Sequence, residues 1–172
     1  MSNRNWMASV VAVIVMSIVA CGSDDDASGG TGGAASCPPE NPECKEIADV
    51  ASGAKAVERR RCVNCHDSDK GKMSGATTPL PQQDPGIELY PPNLTNDKET
   101  GVGAWTDDQL AAAIRTGLDK EGLNLCPQMK HFAEMSDFEV YSIVKYLRSL
   151  PPVVNDVPRS ICPPLKTREE QQ

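Results

Sequence analysis

The chain has 172 residues, enough for one domain of ordinary size, but only 4% of them are aromatic, and 14 prolines and 13 glycines predict long loops. So lean a supply of large side chains leaves room for a bound group to provide apolar bulk. The formal charge of −7 argues against nucleic acid as a partner, because a polyanion needs a basic face.

Arg4 gives the start of the chain a weakly positive head, and Met7 to Ala20 is an uncharged, mostly apolar run leading into Cys21. This is the make-up of an export signal, and the run is short for a bilayer span. Residues 1–20 are therefore expected to be a signal peptide. The ending Ile18-Val19-Ala20-Cys21 resembles the lipobox of bacterial lipoproteins. That resemblance implies a lipid on Cys21 and a periplasmic domain anchored to a bacterial membrane, the outer one being expected. Plain secretion with Cys21 discarded, or an uncleaved anchor, are the competing readings. Residues 21–36, rich in Gly, Asp and Ser, cannot bury apolar surface and predict a flexible tether, with Asp24 to Asp26 a solvated charge run.

Cys37 and Cys44 bound a short loop stiffened by prolines, and in an oxidising compartment such a pair is expected to close. From Glu46 to Arg61, apolar residues at Ile47, Val50, Ala51, Ala54 and Val57 have helical spacing. Gly53 in the middle predicts close packing on another helix. The charged end Glu58-Arg59-Arg60-Arg61 reads first as solvated surface, and second as a contact for an acidic partner.

Cys62-Val63-Asn64-Cys65-His66 then carries the chemistry. Two thiols separated by two residues, with a histidine next, suit one haem bound through two thioethers with the imidazole on the iron. Half a zinc site would need two further ligands at similar spacing. A thioredoxin-like pair would follow a strand, whereas a helix is predicted here. Residues 67–93 read as loop, and a carbonyl there, expected near Pro79, should take the Nδ1 proton of His66. Met73 lies too near His66 to reach the opposite face and reads as a loop methionine.

Trp105 precedes a predicted helix marked by a Thr106/Gln109 capping box, an apolar stripe of Leu110, Ala113 and Ile114, and Gly117 as its stop. The indole is expected in the core, with its N–H available to a haem propionate. Ser136 and Glu139 predict a second capping box for a final helix, whose broad apolar face should be buried on the first helix. Pro152 onward is an extended tail that Cys162 can staple, with residues 166–172 polar and frayed. Setting aside Cys21, Cys62 and Cys65 leaves Cys37, Cys44, Cys126 and Cys162, an even number for two bridges. Cys37–Cys44 with Cys126–Cys162 is the expected pairing, and the other two pairings stay open. For the second axial ligand, Met129 in the irregular Pro-Gln-Met-Lys segment is favoured over Met135, His131 or an open position.

Taken together, Cys62 to His66, Pro92-Asn93-Leu94-Thr95, Thr100-Gly101-Val102-Gly103, Trp105-Thr106, Ala113-Ile114-Arg115-Thr116-Gly117 and Tyr146-Leu147-Arg148-Ser149-Leu150-Pro151-Pro152 resemble a class I cytochrome c domain. More narrowly, they resemble the haem domains in cytochrome subunits of bacterial membrane-bound alcohol and sugar dehydrogenases. The resemblance implies an all-α cytochrome c fold over residues 37–165, with three to four helices around one covalent haem c and disulfide-stapled ends. It also implies His66 proximal, a distal methionine, and single-electron exchange with a dehydrogenase, an oxidase or another cytochrome, without substrate turnover. Those subunits usually carry several haem motifs and a proline after the ligand methionine, whereas this chain has one motif, and Lys130 follows Met129. An enzyme subunit of dehydrogenase or peroxidase type with a ligand-accessible iron, and a haem-based redox sensor, are the alternatives.

Overall fold

A computed structural model describes residues 43–162. The expected signal peptide, Cys21, the tether, Cys37 and the polar tail lie outside the described residues. Among the described residues the regular structure is helical: α1 Glu43–Glu46, α2 Val50–Arg59, α3 Val63–His66, α4 Asp107–Thr116 and α5 Asp137–Ser149. Isolated bridges such as Leu80 with Leu89 are the only strand-like pairings there. No helix among these residues is long and apolar enough to cross a membrane.

The helix expected from Glu46 to Arg61 is shorter, Val50–Arg59, and the separate turn α1 ends at Glu46. Asp49 starts it by acting as N-cap, its carboxylate accepting from the Ser52 N–H at 2.8 Å. The predicted stripe is also rotated. Gly53, Ala56 and Val57 are buried, whereas Ile47 and Val50 are 61% and 44% exposed. Steric access decides this: α2 turns toward α5 the side on which backbone can approach backbone. A Cβ on Gly53 would stand 1.9 Å from the Ser142 carbonyl oxygen, so glycine permits the crossing that the sequence predicted. The Asp49 N–H donates to Ser142 Oγ and Lys145 Nζ to the Ala48 carbonyl, which fastens the N-terminal end of α2 to the middle of α5.

Helix α5 is the centre of the packing, touching α1, α2 and α4. Val140, Ile143, Val144 and Leu147 join Ala56, Val57, Leu110 and Ala111 in one core. Met135 sits just before the Ser136 cap and shares that core with Val140, the arrangement of a hydrophobic staple. The capping box of α4 is complete, and Gly117 ends it at φ +70°. That of α5 is half made: Ser136 accepts the Glu139 N–H, but the Glu139 side chain is used elsewhere. Cys44 and Phe138 form a small second cluster, and Cys44 is disulfide-bonded. Cys126 is bonded to Cys162, as expected.

The Glu139 carboxylate accepts from Arg59 Nη2 at 2.7 Å, and from Arg60 Nε and Nη2 at 2.9 Å each. The charged end of α2 is therefore not simply solvated, since two of its three arginines converge on a carboxylate whose side chain is 10% exposed. Burial pushes that carboxyl up, but the hydrogen bonds from Arg60 and Arg59 outweigh it and hold it below the usual glutamate range. Glu139→Gln is expected to lower the unfolding free energy at neutral pH by about 2 kcal/mol. A folded-state pKa below the unfolded one contributes stability above the unfolded value and loses it as pH falls through the folded value. The gap between parent and variant in urea unfolding should therefore close in acid. A gap independent of pH would refute the assignment.

Candidate haem site

The chain reaches the site through the end of α2. Arg60 closes the helix, and Arg61 takes the left-handed conformation at φ +61°. The Arg61 N–H then reaches the Glu58 carbonyl and the Cys62 N–H the Val57 carbonyl at 3.0 Å each, the two bonds of a Schellman ending. A residue other than glycine in that conformation is under local strain, offset by the packing of Cys62 and Val63 against the core. The reversal starts the α3 turn at once, with the His66 N–H on the Cys62 carbonyl at 3.1 Å. Positions i, i+3 and i+4 share one helix face, so Cys62, Cys65 and His66 are presented together.

Cys62 is half-buried against the core and Cys65 exposed, and both thiols are free, while the other described cysteines are in disulfides. Burial pushes the Cys62 thiol up, opposite to what an activated redox nucleophile requires. With a helix rather than a strand in front of it, this pair does not fit the thioredoxin-like reading. Among the described residues no group of three or more His, Cys, Asp or Glu could hold a metal ion, and the zinc reading finds no further ligands there.

His66 is 6% exposed, and burial holds its imidazole below the usual histidine range, that is, neutral and fit to ligate. Nδ1 lies 3.0 Å from the Pro92 carbonyl oxygen and donates to it, leaving Nε2 for a metal. The acceptor is thus Pro92 and not the neighbourhood of Pro79, where the chain instead pairs Leu80 with Leu89. Pro92 is held in place through its neighbour Asn93. Asn93 Oδ1 accepts from the Thr95 N–H and hydroxyl, while its Nδ2 donates to the Val153 carbonyl at 2.7 Å. On the near side, the Gly75 N–H donates to the His66 carbonyl at 2.8 Å. Two free thiols and a neutral imidazole with one open nitrogen, on one face of one turn, form a donor set that fits a covalently attached haem.

The remaining candidates are spread along the chain. Met73, read as a loop methionine, is 1% exposed in the core at φ +57°, with its carbonyl on the Leu94 N–H. Met135 is 2% exposed in the core. The His131 ring lies against Gly117, where a Cβ would meet its Nε2 at 1.9 Å. Met129 is half-buried in a turn closed by its own N–H on the Cys126 carbonyl at 2.9 Å. Trp105 packs on the core as expected, and its carbonyl accepts from Arg148, which also reaches the Val102 carbonyl and Asp107. Sequence reasoning missed this role of Arg148 in holding the 96–107 segment, as it missed Glu139. Nothing local in the sequence signals either. Arg61, with Arg59, Arg60, Lys130 and Phe132, lines a cavity of about 540 Å³ beside the site.

Comparison with known proteins agrees with this geometry. The family described as cytochrome c matches residues 50–151, more than half of the chain. The chain is 31% identical over 113 residues to a nicotinate dehydrogenase subunit of Pseudomonas putida, covering 64% of this chain and 9% of that protein. It is 32% identical over 99 residues to the gluconate 2-dehydrogenase cytochrome c subunit of Pantoea cypripedii, covering 56% and 22%. The cytochrome c subunit of the quinone alcohol dehydrogenase of Gluconobacter oxydans is 29% identical over 99 residues, covering 56% and 20%. The match thus spans less than a quarter of each of these relatives.

Proposed function

The chain belongs to the cytochrome c family, and from that premise we propose that it is a lipid-anchored, periplasmic monohaem carrier. In this reading it passes single electrons between a dehydrogenase and a further redox protein. The covalent haem c of the family supplies a one-electron iron couple. The chain's own part is to attach it through Cys62 and Cys65, to ligate it with His66, and to cover its other face with Met129. The observation that carries the reading is the buried, neutral His66 committed through Nδ1 to Pro92, one residue beyond a pair of unbridged thiols. Dehydrogenase partners are supported by the relatives, whose names are those of dehydrogenase subunits. The anchor and the compartment rest on the sequence before Cys21 and on the disulfides, which are formed and kept in oxidising compartments.

Met129 is the chosen distal ligand because Met73 and Met135 are spent in the core and His131 packs on Gly117. Met129→Ala is expected to lower the reduction potential, since thioether sulfur favours ferrous iron, and to let the reduced protein bind carbon monoxide at neutral pH. A redox titration and a carbon monoxide titration of variant and parent test this. A variant with the parent's potential and no carbon monoxide binding would refute the ligand assignment.

A further inference from the structure

Residues beyond 151 lie outside the part of the chain that the cytochrome c family matches. The segment 153–162 has no helix of its own, yet it is tied down at both ends. The Val153 N–H donates to Thr95 Oγ1 at 3.0 Å, and the Val153 carbonyl accepts from Asn93. Asn155, 1% exposed, donates its Nδ2 to the Ser74 and Gly75 carbonyls at 2.8 and 3.2 Å. Ser160 Oγ accepts the Tyr90 N–H and donates to the Tyr90 carbonyl, and Ile161 exchanges both backbone bonds with Glu88. These contacts fall on both sides of Pro92, whose carbonyl orients His66, and on Gly75, whose N–H holds the His66 carbonyl.

The same segment ends at Cys162, bonded to Cys126, and the Cys126 carbonyl closes the turn that carries Met129. On either side of that turn, the Leu125 N–H is held by the Gly117 carbonyl and the Phe132 N–H by the Ile114 carbonyl. Between those two points the disulfide is the one covalent tie to the rest of the domain. An irregular loop with so few anchors samples many conformations unless it is cross-linked.

We propose that residues 153–162 are a strap that positions both axial ligands, clamping the chain around Pro92 behind His66 and, through Cys126–Cys162, the turn bearing Met129. This rests on Met129 as the distal ligand. The two ends of the strap act on the iron in opposite senses. Loosening the distal end lets the thioether leave for part of the time, which destabilises ferrous iron and lowers the potential. Loosening the proximal end weakens the hydrogen bond from Nδ1, makes the imidazole a poorer donor, and raises the potential. A segment that merely stabilised the fold would not separate the two signs.

The test uses the full-length holoprotein, with reduction potential, the sulfur-to-iron charge-transfer absorption of the oxidised form and carbon monoxide affinity of the reduced form as readouts. In Cys126→Ser/Cys162→Ser the potential should fall, the absorption should weaken, and carbon monoxide affinity should rise about tenfold or more as the open fraction grows. In Asn155→Ala/Ser160→Ala, a milder change that serves if the first variant does not accumulate, the potential should rise while the absorption persists. Parent-like values in both variants, or shifts of the same sign, would overturn the proposal. Met129→Ala in the parent separates the two failures. If it keeps the absorption, the ligand assignment fails. If it loses the absorption while the serine pair keeps it, the strap fails.

Discussion

Replacing Cys62 and Cys65 together with serine is expected to abolish covalent haem in this protein, so that acidified organic solvent removes all pigment from the polypeptide. The reason is stereochemical. The thiols stand one helical turn apart, Cys62 as the N-cap of α3 and Cys65 within it, both free and beside a neutral imidazole whose Nδ1 is already committed. Each serine removes one sulfur able to form a thioether, and no other described cysteine is free to replace it. The loss should extend to the fold. The core mixes small residues such as Ala56, Val57 and Ala111 with Leu110, Ile143 and Leu147 and, among the described residues, holds no fully buried aromatic ring, so losing a tethered porphyrin would remove a large share of the domain's apolar bulk. Far-UV circular dichroism on heating should show a transition well below that of the parent. Pigment that resists extraction from the double variant would contradict the attachment chemistry.

The second large effect is expected at Gly53. Alanine there would place its methyl carbon 1.9 Å from the Ser142 carbonyl oxygen and 2.8 Å from Tyr146 Cβ, against backbone that has no rotamer to yield. Helices α2 and α5 must then separate, although alanine is by itself the better helix former. Overpacking of this kind costs about 3 kcal/mol or more, which in a domain of this size is a large share of the total. The consequence reaches the site, because the Schellman reversal that delivers Cys62 hangs from the end of α2. Guanidinium unfolding of holoprotein carrying Gly53→Ala should show a markedly lower midpoint. A midpoint equal to the parent's would mean that the helices do not cross as closely as described.

What the sequence reveals is mostly local. The Cys62–His66 turn, the capping box at Thr106, the stop at Gly117 and the tight crossing at Gly53 are each encoded within a few residues, and each stands where expected. The misreadings have a common cause. The stripe of Ile47, Val50 and Ala51 has helical period, but period does not say which face a glycine-mediated crossing will bury. Glu139 has the spacing of a capping box, yet arginines about eighty positions away in the chain compete for its carboxylate and win. The acceptor for His66 lies 26 residues on, fixed by an Asn93–Thr95–Val153 network that no short window contains. Long-range polar pairing selects among local options that are nearly equal, and a single sequence carries little trace of that choice.

The most direct measurement of the central claim is the intact mass of the purified chain under denaturing conditions, read with the absorption of the same peak. The account predicts a polypeptide heavier by a single haem, absorbing as a c-type cytochrome, with neither Cys62 nor Cys65 open to alkylation. A colourless chain of bare polypeptide mass, with those two thiols alkylated or bridged to each other, would contradict it.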